Sequence, residues 1–233
     1  MEWPREVFSK TLFPSLSHSS SATIPVLPES KPSWTIFDKT SPNSLKQQID
    51  KLVSNPSNSQ DNKSFSSTIT FDESNGPVII EHGAIVEPST HFIGPCFIAK
   101  EAVIRHGAYV REYSWICSHA VVGHASEVKH SILLPGAKAP HFNYVGDSIL
   151  GTAVNLGAGV KLSNLRNDGA EVILRIGDTR RPSGLRKFGA ILGEGCQLGC
   201  NAVTNPGTIL GCNSTVWPNI TVTGVYGEDS NHR

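Results

Sequence analysis

An apolar residue recurs at every sixth position through the centre of the chain, and this period constrains the fold more than any other feature. Ten successive hexads carry one, at Ile80, Val86, Phe92, Ile98, Ile104, Val110, Ile116, Val122, Val128 and Leu134. Two positions before most of them stands a small residue, as at Ala84, Cys96 and Ala108. This pattern is typical of a hexapeptide β-helix, in which three hexads build one triangular coil.

The hexad register is interrupted twice. It breaks over residues 135–147, returns shifted, breaks again over 163–189, and then continues to Val222. In repeat proteins such excursions often carry the function. The sequence therefore predicts an all-β protein with a parallel β-helix over residues 75–224, excursions at the two breaks, and a tail at 225–233.

The first 74 residues differ in composition and predict an irregular, partly helical N-terminal arm. Serine, proline and asparagine dominate there, and such a stretch cannot bury enough apolar surface for its own core. We expect one helix with Ser41 as N-cap, Pro42 as its first residue and a stop at Asn55-Pro56, and a second short piece at residues 4–13. Helices this short are marginal alone, so both should dock on the β-helix or on a neighbouring subunit.

Composition and charge exclude several function classes. Twenty basic side chains balance twenty acidic ones, so no overall field attracts nucleic acid or an anionic membrane. No apolar run approaches the roughly 20 residues of a membrane span, and the start shows no signal-peptide pattern. We therefore expect a cytoplasmic protein. The five cysteines include no CxxC pair, which favours packing roles over disulfides or a zinc knuckle.

One histidine stands at the first break in the register. His141 ends the run Lys138-Ala-Pro-His141, and an imidazole there can take a proton from an attacking amine or hydroxyl near neutral pH. A surface or packing histidine would have the same local signature, and the chain has nine histidines. The neighbouring residues therefore decide its interpretation.

The sequence around His141 closely resembles a known family. The runs Lys138-Ala-Pro-His-Phe-Asn-Tyr-Val-Gly-Asp147, Asn155-Leu-Gly-Ala-Gly159 and Ser163-Asn-Leu-Arg166 are similar to the acetyltransferase domain of the bifunctional glucosamine-1-phosphate acetyltransferase/UDP-N-acetylglucosamine pyrophosphorylase family, especially its archaeal-type branch. The resemblance implies a left-handed β-helix, usually a homotrimer with sites at subunit interfaces. It also implies acetyl transfer from acetyl-CoA to an amino-sugar 1-phosphate, most simply glucosamine 1-phosphate, in UDP-N-acetylglucosamine biosynthesis.

Several roles follow residue by residue from the resemblance. It implies that His141 is the base that deprotonates the sugar amine. It implies that Arg111 and Lys129 hold the sugar phosphate beside the phenol of Tyr144, and a guanidinium with an ammonium suits a phosphate. Arg111 and Lys129 are eighteen residues apart, which is one coil of three hexads. We therefore expect them to stack on one edge of the β-helix.

The resemblance also implies amides for the sugar and a site for the coenzyme. Asn155 and Asn164 match the sugar-binding amides, and fixed amides suit sugar hydroxyls. Cys200, Ala202 and Pro218 match the later coils, where the family uses main-chain amides for the thioester and the pantetheine arm. We interpret Cys200 as a packing residue, since transfer directly from the coenzyme needs no acyl-enzyme.

The sequence departs from the family in two places. No Rossmann-like domain or Gly-rich phosphate loop precedes residue 75, so we expect no uridylylation. Ala170 and Ile173 stand where the family often has substrate-binding lysines. The same excursion is rich in cations, and Arg186 and Lys187 among them are candidates for the coenzyme phosphates or for replacing those lysines. A solvated loop would have the same composition.

Two other functions fit parts of the sequence. The changes at Ala170 and Ile173 would suit a non-catalytic β-helix that binds sugar phosphates or takes part in assembly. A γ-class carbonic anhydrase would share the fold, and His119 and His124 have a spacing that a neighbour's His106 would complete as a zinc site. The rest of that family's pattern is absent, so we predict no metal site.

Overall fold

Three flat parallel sheets wind around one core in the computed structural model, which describes residues 2–18, 23–54 and 59–233. The strands in chain order are β1 (Thr70–Asp72), β2 (Val78–Ile80), β3 (Ile85–Val86), β4 (His91–Ile93), β5 (Cys96–Ile98), β6 (Val103–Ile104), β7 (Tyr109–Val110), β8 (Trp115–Ile116), β9 (Val121–His124), β10 (Glu127–Lys129), β11 (Ile132–Leu133), β12 (Lys138–His141), β13 (Tyr144–Gly146), β14 (Ile149–Leu150), β15 (Asn155–Leu156), β16 (Lys161–Leu162), β17 (Ile173–Ile176), β18 (Thr179–Pro182), β19 (Ala190–Leu192), β20 (Gln197–Leu198), β21 (Val203–Thr204), β22 (Thr208–Leu210), β23 (Thr215–Val216), β24 (Thr221–Val222), β25 (Val225–Tyr226) and β26 (Asn231–His232).

Each coil contributes one strand to each of three eight-stranded faces. Face 1 is β1-β4-β7-β10-β13-β16-β21-β24, face 2 is β2-β5-β8-β11-β14-β19-β22-β25, and face 3 is β3-β6-β9-β12-β15-β20-β23-β26. We name the edges by the faces they join. The 1/2 edge contains His130 and Asp147, the 2/3 edge contains His119, and the 3/1 edge contains His124 and His141. The predicted all-β, left-handed parallel β-helix with a partly helical arm is thus confirmed.

The hexad period corresponds to the inward residues of this prism. Ile98, Ile104 and Val110 are fully buried in one cluster, together with small residues such as Cys96 and Ala108. Consecutive strands meet at tight corners. The inward position two residues before each apolar residue therefore has room only for a small side chain. Cys96 therefore has the packing role predicted for it.

The first predicted excursion is wrong, because the chain there makes a shorter coil and not a projecting loop. Leu133 pairs with Ile116 before it and Leu150 after it, each at a spacing of seventeen residues. Leu133 therefore faces the interior, whereas Leu134, the predicted inward residue, packs in a second cluster outside. Residues 138–146 form β12 and β13 within faces 3 and 1.

The β-helix extends beyond the predicted bounds of 75 and 224. At its start, β1 pairs with β4, and at its end β25 and β26 continue faces 2 and 3. The excursion at 163–189 is present. It leaves at the 1/2 edge, because it joins β16 of face 1 to β19 of face 2, and it contains the antiparallel hairpin of β17 and β18.

The N-terminal arm packs on the outer side of face 2. This is docking on the β-helix, one of the two arrangements that we expected. It contains helices α1 (Ser9–Leu12) and α2 (Leu45–Ser54) and short 3-10 helices at Arg5–Val7, Pro14–His18, Ser33–Phe37 and Asn62–Ser64. Its buried side chains share a cluster with the outward residues of face 2, which include Ile79, Phe97, Trp115, Ile149 and Ile191. No helix within the described ranges is long and apolar enough to cross a bilayer.

Helix α2 begins three residues later than predicted. Ser44 caps it, because its carbonyl accepts from Gln48 N and its Oγ accepts from Gln47 N at 3.3 Å. Ser41 instead closes a turn, with Ser44 N donating to its carbonyl at 3.1 Å, and Pro42 lies inside that turn. The predicted stop at Asn55-Pro56 lies outside the described residues.

Candidate active site

The 3/1 edge presents His141 at the end of β12. Its backbone stands in register with His124 of the preceding coil, and its N–H donates to Asn143 Oδ1 at 3.0 Å. The buried Asn143 also donates from Nδ2 to Gly157 O at 2.8 Å, which ties the next coil to the same corner. The backbone of His141 is thus held on two sides. Its imidazole is exposed and has no hydrogen-bond partner in the part of the chain that the structure describes.

Two other histidines of this edge are held differently. His124 Nδ1 lies 2.9 Å from His106 O, and His106 Nδ1 lies 3.1 Å from Pro88 O. A carbonyl can only accept, so Nδ1 carries the proton in both rings. The two rings also stack, with centroids 5.4 Å apart. Among these three edge histidines, only the ring of His141 is free to turn towards a substrate.

The two histidines that suggested a carbonic anhydrase, His119 and His124, do not lie together in the structure. His119 lies on the 2/3 edge, 3.1 Å from a carboxylate oxygen of Glu101, whereas His124 lies on the 3/1 edge. Strand β9 separates the two side chains. Across the described residues, no group of three or more potential ligands could hold a metal ion.

Below His141 the 3/1 edge is built from closely stacked turns. Gly159 N donates to His141 O at 2.9 Å, and Asn219 N donates to Cys200 O at 2.9 Å two coils further on. A Cβ on Gly199 would lie 2.5 Å from Pro218 N, so these turns leave no room for a side chain between them. Cys200 and Pro218, both predicted to lie near the coenzyme, are exposed on this edge, so the packing role predicted for Cys200 is wrong.

The third residue predicted beside the coenzyme is not accessible. Ala202 is fully buried in the core. Its N–H donates to Gly199 O at 3.1 Å, and its carbonyl accepts from Lys161 N at 3.1 Å. No group of Ala202 is therefore left to contact a ligand, and we correct that assignment.

Arg111 and Lys129 stand at the other end of face 1. Val110 pairs with Val128, so the two cations that follow stack one coil apart, as expected. Glu112 lies between them, with carboxylate oxygens 3.5 Å from Arg111 Nε and 3.5 Å from Lys129 Nζ. Arg111 Nη1 also pairs with Glu127 at 2.8 Å. The sequence did not indicate these two carboxylates, which compensate the charge of both cations.

Tyr144 and Asn164 complete the group on face 1. A Cβ on Gly146 would lie 2.6 Å from the phenol oxygen of Tyr144 and 2.7 Å from Asn164 Nδ2, so both side chains reach over this glycine. Burial, and then the charges of Glu127 and Asp147, raise the pKa of Tyr144 above its ordinary value. The phenol therefore stays protonated at neutral pH and can donate a hydrogen bond.

Three predicted residues lie apart from these groups. Asn155 is on face 3, in β15, beside Lys138 of β12. Arg186 and Lys187 line a cavity together with Lys129, so they lie near the 1/2 edge and not near Cys200. The structure thus forms one group at each end of β13. His141 stands at the 3/1 end, and Arg111, Lys129, Tyr144 and Asn164 lie towards the 1/2 end.

Gly123 controls how closely the coils approach behind His141. A Cβ there would lie 1.7 Å from the backbone oxygen of Pro140. We therefore expect Gly123→Ala to lower the free energy of unfolding by about 3 kcal/mol. Gly177→Ala is the matched control, because a Cβ there meets nothing within 4 Å, although its φ of +55° costs about 1 kcal/mol. Denaturant unfolding compares the two, and equal losses would contradict the prediction.

The amino-acid sequence is similar to one protein-family model and to several bifunctional enzymes. Residues 92–179 match the family model described as the GMPPB C-terminal domain. A bifunctional sugar-1-phosphate nucleotidylyltransferase/acetyltransferase of Sulfurisphaera tokodaii is 37% identical over 191 residues, which cover 81% of this chain and 44% of that protein. The bifunctional protein GlmU of Methanococcus vannielii is 39% identical over 147 residues, covering 63% of this chain and 35% of that protein. The chain therefore spans less than half the length of these curated relatives, and the resemblance that the motifs indicated is confirmed.

A solved structure is similar only at a low level. A mutant of the perosamine N-acetyltransferase of Caulobacter crescentus, in complex with CoA and GDP-perosamine, gives a TM-score of 0.32 with 18% identity, over 66% of this chain and 51% of that one. A similarity this low supports no conclusion about function.

Proposed function

We propose that this chain, whose β-helix is related to the hexapeptide-repeat domain of GlmU-type bifunctional proteins, is an acetyl-CoA-dependent N-acetyltransferase. The proposed acceptor is an amino-sugar 1-phosphate, and glucosamine 1-phosphate is the leading candidate. The product would feed UDP-N-acetylglucosamine biosynthesis. One observation carries the proposal. Strand β13 joins an edge with an exposed imidazole that has no hydrogen-bond partner among the described residues to an edge with two stacked cations.

The dimensions of face 1 suit such a substrate. A three-residue strand is about 10 Å long at about 3.3 Å per residue. Long side chains at one end and an imidazole at the other can therefore reach opposite ends of one hexosamine phosphate. Arg111 and Lys129 would hold the phosphate, Tyr144 would donate its phenolic proton to it, and Asn164 would bind the sugar. Asn155, one coil below His141, is proposed for the sugar as well.

His141 would act as the general base. The neutral amine of the sugar attacks the thioester carbonyl carbon, the new C–N bond forms, and the C–S bond breaks to release CoA as its thiolate. The proton lost from the nitrogen goes to His141, and the thiolate takes a proton in turn. The coenzyme would lie along the 3/1 edge, where Cys200 and Pro218 are exposed. Backbone amides of these turns are the candidates for polarising the carbonyl.

A direct assay tests the proposal. The protein is incubated with acetyl-CoA and each of several amino-sugar 1-phosphates, and free thiol is followed with time. Thiol release that depends on one of these acceptors is the expected result. No release with any of them would refute the proposal. The proposal includes a homotrimer with sites at subunit interfaces, which analytical ultracentrifugation tests separately.

Glu112 gives a prediction about the phosphate group. Its carboxylate bridges the two cations that would bind phosphate, and a dianionic phosphate placed there would meet this negative charge. We expect Glu112→Gln to bind glucosamine 1-phosphate about fivefold more tightly, a gain near 1 kcal/mol, as for a partly exposed charge. Calorimetric titration measures this, with Glu101→Gln on the 2/3 edge as control. Weaker binding by Glu112→Gln would show that the carboxylate organises the cations and does not compete with the ligand.

A second candidate is a β-helix that binds sugar phosphates without turnover. The region after Asn164 favours it, because Ala170 and Ile173 supply no charge there and the nearby Arg166 is paired with Asp168 at 3.0 Å. Calorimetric binding of glucosamine 1-phosphate without any thiol release would establish this alternative.

A further inference from the structure

The 1/2 edge holds a buried acid–histidine pair that acetyl transfer does not use. His130 is 3% exposed and Asp147 is 4% exposed. Burial alone would raise the pKa of Asp147, but the hydrogen bonds from His130 and Asn164 and the nearby positive charge hold it below its ordinary value. Asp147 is therefore a carboxylate, and His130 Nδ1, 2.7 Å from its Oδ1, carries the proton between them.

The other ring nitrogen of His130 is left without a partner. Nε2 is buried and has no hydrogen bond to any described residue. The rings of Phe37 from the arm and Tyr113 pack against the imidazole edge to face, at 5.4 and 6.0 Å between centroids. An unpaired buried polar atom costs about 1–3 kcal/mol, and such atoms are few in native proteins, where a bound water or ion or a catalytic role accounts for them.

A cavity of about 320 Å³ adjoins this pair. Three parts of the chain line it, namely residues 37–40 of the arm, the 1/2 edge with His130 and Asp147, and residues 185–187 at the end of the excursion. These parts are far apart in sequence. The cavity therefore exists only because the arm docks on face 2 beside the excursion.

Most charged side chains around the cavity that are not held in ion pairs are cationic. Its lining includes the cations Lys39, Lys129, Arg186 and Lys187. Among described residues, no carboxylate pairs with Lys39, Arg186 or Lys187.

The carboxylates in the same wall are already engaged. Asp38 accepts from the backbone N–H and hydroxyl of Thr40, at 3.0 and 2.7 Å. Glu112 pairs with Lys129, and Asp147 is held by the His130 ring. Among the described residues, an entering anion would therefore meet three cations without a carboxylate partner and one imidazole nitrogen without a hydrogen bond.

We infer that this cavity is a phosphate-binding site, in which Asp147 accepts from His130 Nδ1 and orients the ring, and His130 Nε2 accepts from the hydroxyl of a monoanionic phosphate. Lys39 from the arm and Lys187 from the excursion supply the charge. The ligand is inorganic phosphate or the terminal phosphate of a phosphomonoester, including the sugar 1-phosphate itself, since Lys129 borders both sites. The inference goes beyond the proposed function, because phosphate binding here does not require acetyl transfer.

The test is a titration of the full chain with inorganic phosphate, followed by calorimetry and by the imidazole nitrogen resonances in NMR. We expect saturable binding and a shift of one buried Nε2 resonance that is absent from His130→Asn. This variant keeps an amide N–H for Asp147 but has no atom at the Nε2 position. It should bind phosphate about tenfold more weakly or worse, the loss expected for one hydrogen bond to a charged group. His119→Ala, at an exposed position of another edge, should bind like wild type.

A second variant avoids any folding defect in the buried pair. Lys39→Ala with Lys187→Ala changes two exposed side chains, and we expect it to lose about tenfold in phosphate affinity as well. Lys10→Ala, an exposed lysine of the arm away from the cavity, is the control. The inference is overturned if wild type shows no saturable phosphate binding, or if both His130→Asn and the double variant bind phosphate normally.

Competition separates the two sources of phosphate. If glucosamine 1-phosphate displaces inorganic phosphate in a one-to-one manner, the cavity holds the phosphate of the sugar, and if both bind together it holds a separate phosphomonoester. Phosphate binding without acetyl transfer would refute only the proposed function. Acetyl transfer without phosphate binding would refute only the present inference.

Discussion

His141→Ala is expected to lower the rate of acetyl transfer to glucosamine 1-phosphate by about a thousandfold. General base catalysis contributes about 10²–10⁴ to a rate, and the imidazoles of His106 and His124 on the same edge are each held by a backbone carbonyl. The fold should survive, because the exposed ring has no partner among the described residues to lose. Initial rates of thiol release at saturating acetyl-CoA measure the effect.

The matched control for this variant is His119→Ala. His119 is also an exposed histidine, but it lies on the 2/3 edge, where the proposal places no substrate. We expect wild-type rates for it. If His141→Ala retains the wild-type rate, another group takes the proton and the assignment is wrong. Similar losses in both variants, with lowered unfolding temperatures, would indicate a stability effect.

Trp34→Ala should have the largest effect on stability, with a loss of about 3–5 kcal/mol in the free energy of unfolding. Trp34 is 1% exposed and stacks on Phe188, with ring centroids 5.7 Å apart. Its indole N–H donates to Ser183 O at 3.0 Å. The truncation would therefore leave a large cavity and an unsatisfied carbonyl where the arm meets the excursion.

Urea denaturation of Trp34→Ala and Trp217→Ala tests this prediction. Trp217 is 47% exposed, so its removal should cost less than about 1 kcal/mol. If the two variants lose equal stability, the arm is not a structural part of the domain. Because the arm also contributes Phe37 and Lys39 to the phosphate cavity, we expect Trp34→Ala to weaken phosphate binding as well.

The regular part of the fold could be predicted because it repeats. Each hexad places one apolar side chain inside, and the identity of that residue is visible without knowing its distant neighbours. The prediction went wrong where two apolar residues are adjacent. Leu133 and Leu134 are equally suited to the interior, and the short coil of seventeen residues turns Leu133 inward. Only the strand pairing on either side distinguishes them.

The candidate site was predictable as a set of residues, but not as an arrangement. His141, Arg111, Lys129, Tyr144 and Asn164 were found through their motifs, and the structure distributes them between the two ends of β13. The bridging carboxylate of Glu112 had no sequence signal, because a glutamate after a cation usually faces solvent. The contact between His130 and Asp147 had none either, although Asp147 ends the motif run that begins at Lys138 and His130 follows Lys129.

The amino-acid sequence by itself determined the coil, its inward residues and the stacking of side chains one coil apart, because these depend on periodic contacts between nearby residues. Only the tertiary structure decided which side chains are compensated, buried or free. Those properties depend on contacts across long separations in the chain, such as Trp34 with Phe188 and Phe37 with His130. Burial and neighbouring charge control a side chain's chemistry, and neither can be derived from a period of six.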